Sequence, residues 1–363
     1  GGGAGALPLP EAPELEELRI EGAGVPRLDL SEWTAFGELQ HLELVGCGGL
    51  DRLDLPPSGE LRRVALDVGS KLHELRLHFK QVDHLCLQAP GLRKLHLFGC
   101  KGLTGDNLRR GLRGCPQLLE LALHQSSELQ ELSLLDDREA LGELLVLDLS
   151  GLSRAHRLAL LRLRAPKLTR LALPRAPLWE NGGLRRLELR CPALRSLDLS
   201  ALDWSVLLEL RLDAAGLEDL TAPSGCAARP PPDAQVIEVH SSRLACLDLS
   251  GAAAAASLRL SLGSRWPHVR WPLRQEVGVE VTLSLAMPFA QDGLPPASPF
   301  AGAVRALELL DAAALSPLAL AAAVARSPRL AHLAVEGCAR LRDGDLEAIV
   351  ASAPALSALR CRQ

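Results

Sequence analysis

Leucine recurs along this chain in the unit L-x-x-L-x-L. It appears as LQHLEL from Leu39, LDRLDL from Leu50, LHELRL from Leu72, LRKLHL from Leu92 and LLELAL from Leu118. It returns as LTRLAL from Leu168, LRRLEL from Leu184, LRSLDL from Leu194 and LACLDL from Leu244. The variants VRALEL from Val304, LAHLAV from Leu330 and LSALRC from Leu356 close the chain. Alternate side chains of a strand point to opposite sides, so in x-L-x-L-x the leucines face inward and the x residues outward. One such strand cannot bury its leucines alone. Stacked coils can, and they pair their strands in parallel.

The spacing of the middle leucine defines a first phase. It runs Leu28, Leu53, Leu75, Leu95, Leu121, Leu147, Leu171, Leu197, Leu220 and Leu247, and resumes after an insertion at Val281, Leu307, Leu333 and Leu359. Most steps from Leu95 onward are 23 to 27 residues. A second phase lies between: Leu18, Leu42, Val64, Leu85, Leu132, Leu161, Leu187, Leu210 and Leu258. The pattern predicts an α/β solenoid. First-phase segments form one continuous, curved parallel sheet of about thirteen strands on the concave side. Short strands, loops and a few helices make the convex side. Helices are expected in LTGDNLRRGLRGCP, stopped by Pro116, in SPLALAAAVARSP from Ser316 and in LRDGDLEAIVASAP from Leu341. Residues 1–13 read as a flexible linker. Residues 14–363 read as one repeat domain with insertions near 223–235, 263–275 and 286–303.

Three units, LVGC at Leu44, LFGC at Leu97 and VEGC at Val335, place a Cys three residues after the last strand position. The joints GCPQL at Gly114, RCPAL at Arg190 and RAPKL at Arg164 accompany them. This pattern resembles the cysteine-containing leucine-rich repeat over residues 14–363. Within that class it is most similar to the plant-type F-box/leucine-rich-repeat protein 15 group. The resemblance implies a leucine-rich-repeat solenoid serving as the substrate-recognition region of a ubiquitin-ligase receptor. The F-box helices that would dock onto the ligase are not in this sequence, so that role would run through an upstream region. The chain opens on Gly1-Gly2-Gly3 without Met, and we expect a leader or further domain before it. It closes on the strand-like LSALRCRQ, where we expect continuing chain or a covering partner.

Composition narrows the function. The chain is 47% hydrophobic and 23% charged, with a net charge of −4, so it is neither disordered nor basic. No basic bias recommends nucleic acid or an acidic membrane, and 3% aromatics without Tyr argues against single-strand stacking platforms. The nine cysteines include no C-x-x-C pair, which points to reduced thiols and an intracellular protein, cytoplasmic or nuclear. No apolar run approaches the ~20 residues of a spanning helix. No phosphate-binding loop, nucleophile elbow or H-E-x-x-H is present, and DGDLEAIV at Asp343 lacks most of a calcium loop. We expect no enzyme activity, no cofactor and no metal.

Outward positions carry the candidate partner site. Arg76 and His78 flank Leu77, Lys94, His96 and Phe98 flank Leu95 and Leu97, and His124 follows on the next coil. Arg and aromatic residues are favoured interface anchors. A neutral surface or a metal held by the three histidines are the competing readings. Trp266, Arg270 and Trp271 in WPHVRWP are a second candidate, against a reading in which the indoles cover leucines. Asp29, Asp54, Asp148, Asp198 and Asp248 each follow a first-phase leucine, as a solvated row or as a site for cations or a basic partner. Cys47, Cys100 and Cys338 are expected to turn inward and bond backbone groups. The resulting reading is a non-catalytic scaffold with protein partners on its concave face. The rivals are a repeat-based regulator of an enzyme such as a GTPase and a structural subunit of a large assembly.

Overall fold

The computed structural model describes residues 15–22, 24, 26–30, 38–55, 60–125, 129–134, 141–152, 158–174, 183–200, 202, 206–221, 235–244, 246–248, 255–262, 268–270, 280–286, 304–310, 316–325, 327–337 and 341–362. The chain divides into two compact units, Gly1–Arg185 with Leu189–Leu194, and Arg186–Glu188 with Arg195–Gln363. The first contains β1 (Glu17–Glu21), β2 (Arg27–Asp29), β3 (His41–Cys47), β4 (Arg52–Asp54), β5 (Arg63–Val68), β6 (Glu74–His78), β7 (His84–Gln88), β8 (Lys94–Phe98), α1 (Gly105–Leu112), β9 (Glu120–His124), β10 (Glu131–Leu134), β11 (Val146–Asp148), β12 (Leu160–Arg164) and β13 (Arg170–Ala172). The division runs through β14 (Arg186–Arg190). The second unit contains β15 (Ser196–Asp198), β16 (Glu209–Asp213), β17 (Asp219–Thr221), β18 (Gln235–Ser241), β19 (Cys246–Asp248), β20 (Ala255–Leu262), β21 (His268–Arg270), β22 (Glu280–Ala286), β23 (Val304–Leu310), α2 (Pro317–Ala325), β24 (His332–Glu336), α3 (Asp343–Ser352) and β25 (Ala358–Arg362).

The fold is a parallel β-solenoid of stacked coils with few helices. In the first unit the chain alternates between two layers. First-phase strands pair in the order β6-β8-β9-β11-β13, with β2 and β4 as a separate pair. Second-phase strands pair as β1-β3-β5-β7 and β10-β12. Register follows the leucines. Leu75, Leu95, Leu121, Leu147 and Leu171 are successive partners across the first layer. Leu18, Leu42, Val64 and Leu85 are partners across the second. All of these except Leu18 are buried, and each buried leucine contributes about 2 kcal/mol before the cost of ordering the chain.

α1 interrupts the second layer by packing between β7 and β10, where a second-phase strand would otherwise lie. Its Leu108 and Leu112 are buried, and Thr104 caps it by accepting a hydrogen bond from Asn107 N at 3.2 Å. Asp106 in the first turn and Arg109 and Arg110 in the last complement the helix dipole. Gly111 lets the helix approach: a Cβ there would lie 2.8 Å from Leu85 Cγ.

The second unit corrects one expectation. β19 pairs not with β22 but with β21, placing Leu247 opposite Val269. Residues 268–270, inside the stretch set apart as an insertion, thus complete the first-phase side of their coil. The chain then crosses to the other layer, where Val281 of β22 is the partner of Leu258. From β22 to β25 the strands extend the layer β16-β18-β20, so the supposed resumption of the first phase is a continuation of the second. Leu307, Leu333 and Leu359 stack there at steps of 26 residues. On the return path of these last coils, the helices α2 and α3 pack against each other. Pro317 opens α2, where its missing N–H has no helical partner to lose. At α3, the Asp345 carboxylate accepts a hydrogen bond from Arg342 N at 2.9 Å.

Candidate functional site

Strand register brings the first set of candidate residues onto one face of the first unit. Arg76 is the partner of His96, and His78, Phe98 and His124 are successive partners across β6, β8 and β9. The last three form a ladder of rings. His78 stacks on Phe98 at 4.4 Å between centroids and 5° between planes, and Phe98 stacks on His124 at 4.5 Å and 15°. His96 lies beside them, 6.1 Å from His124. Gly151 closes the end of the ladder, because a Cβ there would overlap the His124 ring. Offset aromatic stacks of this kind are attractive beyond the area they bury.

Charged groups frame the rings. Arg76 Nη2 lies 2.7 Å from Glu74 Oε1, and the Arg76 side chain remains 64% exposed. Glu120 sits between Lys94 Nζ at 3.8 Å and His96 Nε2 at 3.6 Å. Burial pushes the His78 pKa down, with Arg76 and His124 adding to the effect. Burial also pushes His124 down, helped by His96 and opposed by Asp148. Among the described residues, no three His, Cys, Asp or Glu side chains are grouped so as to hold a metal ion.

Next to the ladder, β4 and β6 border a depression of about 740 Å³ lined by Arg27, Asp29, Arg52, Asp54, Glu74 and Arg76, among others. Of its lining, sequence reasoning singled out Asp29, Asp54 and Arg76, but not Arg27 and Arg52 of the repeated Arg-Leu-Asp in β2 and β4. Those strands place Asp29 opposite Asp54. The repulsion is offset by Arg27, 3.3 Å from Asp29 and 3.4 Å from Asp54, and by Arg52, 2.8 Å from Asp54. The Asp54 hydrogen bond is also the main cause of the raised Arg52 pKa.

The other aspartates of the row do local work. Asp148 accepts hydrogen bonds from the N–H and hydroxyl of Ser150, and Asp198 accepts from Ser200 N at 2.9 Å. Asp248 is the register partner of Arg270. Trp266 and Trp271 lie outside the described residues, as does Cys338. Cys47 and Cys100 are buried and point their thiols at backbone carbonyls, Val45 at 3.7 Å and Phe98 at 3.6 Å. Cys115 is likewise buried, which pushes its pKa up to about 12 and leaves it no nucleophile.

No family model matches the chain, and neither does any curated protein sequence. Two solved structures are among those that match the chain at low identity. An internalin (inlF) from Listeria monocytogenes is 14% identical, with 96% of this chain and 81% of that chain covered, at a TM-score of 0.22. The TLR13–ssRNA13 complex is 15% identical, with 89% of this chain covered, at a TM-score of 0.22. The match spans 64% of that chain, under two thirds of its length. Among the described residues, no helix is long and apolar enough to cross a membrane.

Proposed function

We propose that this chain is a non-catalytic protein-interaction scaffold that docks a protein partner on the face formed by β6, β8 and β9. The observation that carries the reading is the ring ladder His78–Phe98–His124 with Arg76, Lys94 and His96 beside it on three adjacent strands. A face made of paired strands is preformed, so little ordering cost opposes binding. Its phenylalanine ring and its guanidinium belong to the side-chain types enriched at interfaces. The finer attribution, to the substrate-recognition region of an F-box-type ubiquitin-ligase receptor, rests on the Cys-containing repeat and its GCPQL and RAPKL joints.

The test starts from the purified full chain as bait, with partners recovered by affinity purification and mass spectrometry. The affinity of a recovered partner is then measured against Arg76→Ala, Lys94→Ala and Phe98→Ala, with the melting temperature of each variant. Loss of ~1–3 kcal/mol of binding in Arg76→Ala, without a matching loss of melting temperature, is the expected result. Unchanged affinity in all three variants removes this face and shifts attention to Trp266, Arg270 and Trp271. Recovery of ligase components would support the F-box-type attribution.

A further inference from the structure

Beyond the ring ladder, the first layer changes character where the chain enters β9. Backbone hydrogen bonds stack Arg93, Leu119, Leu145 and Thr169 on successive coils. One residue further along each coil, strand register stacks Lys94, Glu120, Val146 and Arg170. Leu119, Leu145 and Val146 therefore adjoin outside the leucine core, Leu145 37% exposed and the other two half-buried. Apolar groups scattered singly over a surface are ordinary, whereas adjoining ones mark a surface that a partner covers.

The charges around this patch are unevenly matched. Arg93, Lys94, Lys167 and Arg170 stand with Glu120, Glu143 and Asp148, four cations with three anions. Each anion is engaged within the chain. Glu120 lies 3.8 Å from Lys94 and 3.6 Å from His96, Glu143 lies 2.7 Å from Lys167, and Asp148 accepts a hydrogen bond from Ser150 N at 2.9 Å. On the flanking strand β6, Glu74 and Arg76 pair with each other. Arg93 and Arg170 are exposed and have no ion-pair partner among the described residues. The unmet charge is thus two guanidiniums, one at each end of the apolar patch.

We infer that this patch docks an extended protein segment of the form acid-x-apolar-x-acid, a second surface that goes beyond the ring ladder. The spacing selects that form. Arg93 and Arg170 sit three strand steps apart, about 14 Å at the usual separation of parallel strands. An extended chain rises about 3.4 Å per residue, so its residues i and i+4 also lie about 14 Å apart. Residues i, i+2 and i+4 point to one side. Carboxylates at i and i+4 then meet the two guanidiniums, which favour planar acidic groups. The apolar side chain at i+2 rests on Leu119, Leu145 and Val146 and takes their surface out of water.

The experiment uses the full chain and a capped, fluorescein-labelled peptide, Glu-Ser-Leu-Ser-Glu, read by fluorescence anisotropy at low ionic strength. The expected result is saturable binding with a Kd below about 1 mM. Binding should weaken about fivefold or more when both glutamates become glutamine, or when the leucine becomes serine. The isomer Ser-Glu-Leu-Glu-Ser keeps charge and composition but turns its acids away from the leucine face, and it should bind about threefold or more weakly. On the protein, Leu145→Ser and the double variant Arg93→Gln, Arg170→Gln should each weaken the probe about fivefold or more. The double variant leaves the leucines in place and decides the question should Leu145→Ser fail to fold by circular dichroism. Absence of binding, equal binding of the neutral peptide or the isomer, or unchanged affinity in a folded variant overturns the inference. The ring ladder is decided separately by the Arg76, Lys94 and Phe98 variants, so the two surfaces fail independently.

Discussion

Phe98 is the residue on which the face is organised. It lies between two imidazoles at stacking distance, while Leu95 and Leu97 on either side of His96 point into the core. Phe98→Ala removes both ring contacts, and a loss of about 1–3 kcal/mol of folding stability is expected from a half-buried ring. Urea unfolding measures it; a variant as stable as the parent would show that the rings do not stack in solution. The imidazoles make a second prediction. His78 and His124 have pKa values below those of an unfolded histidine, so the unfolded chain binds protons first as pH falls. Their contribution to stability is complete above about pH 6.5 and is lost as pH drops through the lower folded values. The melting temperature should therefore fall with acidification below about pH 6.5, and less steeply when both are phenylalanine. That Arg76, His78, Lys94, His96, Phe98 and His124 share one face was legible from the alternation around the leucines. That three of their rings stack was not, because stacking depends on rotamers and on the bare backbone of Gly151.

At the scale of the element, the leucine unit specifies strands well and connections less well. β21 was hidden because RWPHVRW carries no leucine, and the residue in register with Leu247 is Val269. Missing that strand shifted everything after it to the wrong layer. Helices were legible from the stop at Pro116 and from the helix formers in the later segments. α1 spans Gly105–Leu112 inside the expected LTGDNLRRGLRGCP segment. Its dependence on two local features is testable by thermal melting. Thr104→Ala removes the cap to Asn107 N and should cost about 1 kcal/mol. Gly111→Leu drives a large side chain into Leu85 and should cost about 1–3 kcal/mol, despite leucine's better helix propensity. A neutral or stabilised Gly111→Leu would mean that α1 does not sit against β7.

Across the molecule, the same inward leucine recurs coil after coil, and this couples each coil to its immediate neighbours more strongly than to distant ones. Corner glycines reinforce the coupling in the first unit. A Cβ at Gly91 would overlap the Ser70 carbonyl, and one at Gly69 would overlap the Gly48 carbonyl, so successive turns rest backbone on backbone. Such a stack has no central core whose loss unfolds everything at once. Leu121 shows the consequence, since it is fully buried on β9 between Leu95 of β8 and Leu147 of β11. Leu121→Ala opens a cavity that close-packed neighbours fill only in part, and a loss of about 2–5 kcal/mol is expected. The loss should be local. Hydrogen exchange should accelerate first in β8, β9 and β11, while β1 and β3, several coils away in the same unit, keep their protection. Uniform acceleration throughout the first unit would instead mean that it unfolds as a single cooperative body, and nearest-neighbour stacking would then be the wrong account of its stability.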